Sequence, residues 1–79
     1  MTQFFMMWYD NTKGRSLSDK IKHAVHYYEM KYGTPPTLCI INPKALEEAG
    51  KPDTELSILP LRNVIINHLW IGIEEGEKE

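Results

Sequence analysis

An apolar run, Phe4-Phe5-Met6-Met7-Trp8-Tyr9, is followed by a polar loop, Asp10-Asn11-Thr12-Lys13-Gly14-Arg15-Ser16, then by an amphipathic stretch. Past the Pro35-Pro36 break comes a second apolar run, Thr37 to Asn42. Strand, helix, strand in that order is the pattern of a parallel crossover unit, and it constrains the architecture more than any other feature of the chain. The first two strands are expected to run parallel, with a right-handed crossover through the helix.

The helix has the clearest local signature. Leu17, Ile21, Ala24, Val25, Tyr28 and Tyr32 recur at three- and four-residue steps and form one apolar stripe. Ser16 or Ser18 can cap the start and Asp19 suits the first turn. Lys31 and Gly33 suit the end, and Pro35 forbids continuation, so the helix is predicted from about Leu17 to Tyr32. Pro43 favours a short second helix, Lys44 to Ala49, which Gly50 stops. Lys51-Pro52-Asp53 reads as a turn and Glu55 to Leu59 as a third strand, with Leu56 and Ile58 on one side. A fourth strand is predicted from His68 to Ile73, with Leu69, Ile71 and Ile73 on one face and Trp70 on the other. The link after Pro60 is short, which predicts that strands three and four are antiparallel neighbours.

The expected fold is therefore a small α/β domain, β-α-β-(short α)-β-β, with a mixed four-stranded sheet and one principal helix. Residues 1–75 make one domain and residues 76–79 an acidic tail expected to fray. One long helix covers only one face of such a sheet. Yet Phe4, Met6 and Trp8 alternate with Phe5, Met7 and Tyr9, and Cys39 and Ile41 with Leu38 and Ile40, so both faces are apolar. The second face must be covered by the short helix, by the Leu61–Asn67 segment or by another chain.

Charge is unevenly distributed. Residues 1–44 carry six Lys and Arg against three Asp and Glu, and residues 45–79 carry three against eight, giving halves of +3 and −5 in a chain of net −2. The overall acidity disfavours nucleic-acid binding, whose footprint is a clearly basic domain. The lone Cys39 cannot form an internal disulfide, and its apolar setting marks a buried structural thiol. No apolar run is long enough to span a membrane and the N-terminus lacks the basic start of a signal peptide, so a cytoplasmic location is expected.

Two groups of residues are candidate sites. Ligands of open α/β sheets bind beyond the carboxyl ends of parallel strands, where helix N-termini offer free N–H groups. Here that rim comprises the Asp10–Ser16 loop and the Asn42-Pro43-Lys44 turn. Lys13, Gly14, Arg15, Ser16 and Lys44, with Thr12, would seat a phosphate or carboxylate, although the single glycine matches neither a P-loop nor a dinucleotide fingerprint. The second group, His23, His26, Tyr27 and Met30, makes the outer helix face semi-apolar and poor in charge, which suits an interface. His23 and His26 are three apart, but no carboxylate completes a metal motif, and no metal or other cofactor is expected.

No nucleophile elbow, zinc-protease helix or paired acidic motif assigns catalytic roles, and an enzyme using Asp10 or His68 is a third, less favoured reading. The expected function is a non-catalytic interaction module binding a protein partner or a second copy of itself. The alternative is an anion-binding domain for a phosphorylated small molecule or nucleic-acid backbone.

Overall fold

The computed structural model describes residues 5–74. Phe4, assigned above to a strand face, and the acidic tail 76–79 lie outside the described residues. The chain runs β1 (Phe5–Tyr9), α1 (Leu17–Tyr32), β2 (Leu38–Ile41), α2 (Pro43–Ala49), β3 (Ser57–Pro60) and β4 (His68–Gly72). It is a small α/β fold with one main helix, one short helix and a mixed four-stranded sheet, as the sequence leads one to expect.

Helix α1 forms where the apolar stripe and its caps place it. Ser16 Oγ accepts the Asp19 N–H at 3.1 Å, and Gly33, in the left-handed region at φ 75°, donates its N–H to the Glu29 carbonyl at 2.8 Å. Ser18, the other candidate cap, instead accepts the Asp53 N–H at 2.8 Å and ties the loop before β3 to the helix. Asn42 caps α2 by accepting the Lys44 N–H at 2.8 Å, with Pro43 in the first turn.

The sheet order is β1-β4-β2-β3. Strands β1 and β2 run parallel, since both are antiparallel to β4, but β4 lies between them. The expected pairing of strands three and four does not occur: β3 pairs with β2 in parallel, and β4 pairs with β1 and β2. Composition accounts for this strand order. Strand β4 carries Leu69 and Ile71 on one face and Trp70 on the other, which suits the two-sided burial of a central strand. Strand β3 has exposed Ser57 and Pro60 and suits an edge. The Leu61–Asn67 segment then has to cross β2 to join the edge to the centre, and it does so over the face that carries no helix.

The pleat sorts the side chains into two layers. Met6, Cys39, Ile41, Leu69 and Ile71 form the main core with Ile21, Ala24 and Tyr28 of α1, and Ala45 and Leu46 of α2 pack against its margin. On the opposite face Leu38 and Ile40 are buried under Val64, which comes from the crossing segment, with Phe5 and Trp70 alongside. Asn42 Nδ2 donates to the Val64 carbonyl at 2.8 Å and holds that segment down.

Candidate interaction surface

Val64 covers only part of the helix-free face. Cross-strand register puts Leu59, Ile40, Trp70 and Met7 in one row across the sheet, with Tyr9 and His68 in the next. Val64 sits at the β2 side of this layer. Towards β1 the row is open, leaving Met7 69% and Ile65 68% exposed and Tyr9 exposed as well, and at the opposite, β3 edge Leu59 and Leu61 are also exposed. Met7, Tyr9, Asn63, Ile65, His68 and Trp70 line a shallow groove of about 380 Å³ there. None of the six carries a permanent charge. Tyr9 and His68 stack with ring centroids 4.8 Å apart, and His68 Nδ1 lies 3.2 Å from the Ile66 carbonyl, so the His68 ring at the groove's margin is engaged by the chain itself.

The expected interface on α1 is divided. Tyr27 stacks against Trp8 of β1, with centroids 5.1 Å apart, and so belongs to the flank over β1. His23 and Met30, one helical turn on either side, are exposed beside it. His26 belongs to the other flank, where it lines a cleft of about 470 Å³ together with Lys22, Glu29, Asp53 and Glu55. That cleft is rich in charge of both signs and has no cluster of three or more metal-ligating side chains among the described residues.

The predicted anion rim is assembled in part. Asp10 and Asn42, at the carboxyl ends of β1 and β2, line one small cavity of about 40 Å³ with Asn67, His68 and Lys20. Its volume suits a water molecule. Asp10 is buried, its Oδ1 accepting the Thr12 N–H at 2.9 Å and its Oδ2 a bond from Arg15 Nη1 at 2.8 Å. Hydrogen bonding from Thr12, aided by the Arg15 guanidinium, holds the Asp10 carboxyl at about 2 despite its burial. Arg15 is thus occupied by an internal anion. Gly14 makes the turn at φ 82°, Lys13 and Lys44 are exposed, and Ser16 and Asn42 cap the two helices.

Cys39 is fully buried in the main core, and burial pushes its thiol up to about 12, which leaves it protonated and unreactive.

No protein family, curated protein or solved structure matches the chain. Sequence reasoning recognised that the second sheet face was apolar, but it did not single out Met7, Ile65 or Trp70. The signal was present in Val64-Ile65-Ile66, three consecutive apolar residues in a connection too short to bury all of them.

Proposed function

We propose that the domain is a non-catalytic interaction module and that the helix-free face of the sheet is its contact surface. The observation that carries this reading is the pair Met7 and Ile65, each more than two-thirds exposed and lining with Trp70 a groove free of permanent charge. Aromatic and methionine side chains are enriched at the centres of interfaces and charged side chains are depleted there. The buried thiol of Cys39 and the internally paired Asp10 leave the strongest candidates for chemistry occupied with structure.

The anion-binding alternative draws less support. Arg15 is paired with Asp10, and the helix N-termini that would receive an anion are capped by Ser16 and Asn42.

Titration of the folded protein with an environment-sensitive apolar dye, followed through side-chain methyl shifts, tests the proposal. Saturable binding that moves Met7 and Ile65, and that Ile65→Ser weakens, is the expected result. No dye binding by the native protein, or shifts confined to the cleft around His26, would overturn it.

A further inference from the structure

The two edges of the sheet are built differently. Strand β3 is four residues long, ends in Pro60 and is exposed along most of its length. Proline and shortness are the usual devices that keep an edge from pairing with another chain. Strand β1, five residues long in the described chain, lacks the proline. Phe5-Met6-Met7-Trp8-Tyr9 contains no charge and no proline, and no described strand pairs with its outer side.

Register identifies which backbone groups that edge presents. The Asp10 N–H donates to the Asn67 carbonyl at 3.0 Å, continuing the β1–β4 register in which Trp8 faces Leu69 and Met6 faces Ile71. Antiparallel ladders alternate between hydrogen-bonded and non-bonded pairs, so Asp10, Trp8 and Met6 direct their N–H and C=O groups towards β4. Phe5, Met7 and Tyr9 direct theirs outward.

We infer that a second copy of this chain adds to that edge, β1 against β1 in antiparallel order about a two-fold axis at Met7, giving one continuous eight-stranded sheet. The inference goes beyond the interaction reading above: the edge shares Met7 and Tyr9 with the helix-free groove, while Ile65 lies outside the contact. Two antiparallel edges pair only if outward residues meet outward residues. Centring the axis on Met7 meets this condition, placing Met7 opposite its symmetry mate and Phe5 opposite Tyr9. On the helix-free face the cross-strand pairs are then Phe5 with Tyr9 and Met7 with Met7, and on the other face Met6 with Trp8, all uncharged and mostly aromatic or sulfur-containing. A two-fold contact must be self-complementary, and a strand with no charge brings no like-charge repulsion onto its own copy.

A strand edge alone is narrow beside the roughly 800 Å² per partner of a stable interface. The second layer comes from α1. The Trp8–Tyr27 stack shows that the flank bearing Tyr27 overhangs β1, with Met30 74% exposed one turn on. The two-fold that joins the strands brings the two copies of this flank towards each other. The exposed helix residues and the unguarded edge thus lie on one side of the molecule.

The test is sedimentation of the full chain across a concentration series, with amide hydrogen exchange measured at Met7 and Tyr9. The expected result is a concentration-dependent dimer in which both amides become protected as it forms. Met7→Pro removes both N–H donors of the central pair at a position where the monomer uses neither, and should weaken the dimer about 10- to 100-fold. Ile65→Ser, which lies off β1, should leave the dimer intact while weakening dye binding. A wild-type chain that stays monomeric, or a dimer in which the Met7 and Tyr9 amides exchange freely, would overturn the inference. If Met7→Pro fails to fold, the wild-type exchange pattern still decides. A monomer that binds dye through Met7 and Ile65 would reject the second copy and leave the interaction surface standing.

Discussion

The two faces of the sheet are equally apolar in sequence and unequally covered in the fold. On one, α1 lays Ile21, Ala24 and Tyr28 over Met6, Cys39, Ile41, Leu69 and Ile71, with α2 at the margin. On the other, Val64 is the one described residue outside the strands that is buried over Leu38 and Ile40, and the side towards β1 leaves Met7 and Ile65 exposed. The difference teaches that alternation along a strand reports which residues share a face, whereas coverage depends on what the rest of the chain has left to place there. A helix brings a side chain over the sheet every three or four residues. A seven-residue crossing segment brings one.

Substitution at the two covers should separate them most sharply. Ile21 is 0% exposed in the main core, and Ile21→Ala should cost about 2 to 4 kcal/mol. Val64 is equally buried, but it is smaller and sits in a thinner layer, so Val64→Ala should cost about 1 to 2 kcal/mol. Chemical denaturation of both variants checks the ranking. A Val64→Ala loss equal to or larger than that of Ile21→Ala would mean that the second face is as much a core as the first.

The next effect concerns the rim that joins the two layers at the ends of β1 and β2. The Asp10 carboxyl is held at about 2, below its ordinary 3.8, so its bonds to Thr12 and Arg15 contribute stability fully above about pH 4. That contribution is lost as pH falls from about 4 towards 2. Asp10→Asn should flatten stability across this window and cost about 1 to 2 kcal/mol at neutral pH. Parallel pH dependence of the variant and the wild type between pH 4 and 2 would show that another carboxylate dominates.

Smaller effects are expected where the surface is open. Tyr27→Ser with Met30→Ser should lower stability by about 0.5 to 1.5 kcal/mol, mainly through loss of the Trp8 stack, while the chain stays folded and associates more weakly. Unfolding of this double variant would place the flank in the core. Ile65→Ser should change stability by no more than about 0.5 kcal/mol, because the side chain is solvent-facing already. A larger loss would show that the groove is closed in solution.

Most of the secondary structure was legible because its determinants are local. The stripe from Leu17 to Tyr32, the Ser16 cap, Gly33 and Pro43 each act within a few residues, and α1 and α2 begin and end where they direct. The candidate site was legible only in part. Tyr27 and Met30 were recognisable as exposed apolar residues on a helix, but the pairing of Tyr27 with Trp8 and the separation of His26 onto the far flank depend on where α1 crosses the sheet. Arg15 reads as a free cation in the loop. Its partner Asp10 is five residues away, and the loop must close before the two meet.

The sequence by itself determined the order and type of the elements, the principal helix with its caps, and the presence of two apolar sheet faces, because propensity, capping and side-chain period act over short stretches of chain. Only the tertiary structure decided that β4 enters the sheet between β1 and β2, that Val64 becomes the cover of the second face, and that among the described residues β1 has no partner on its outer side. Strand order is chosen by competition among distant segments for burial. Strand β4, apolar on both faces, gains most from the centre, and the proline-ended β3 loses least at the margin.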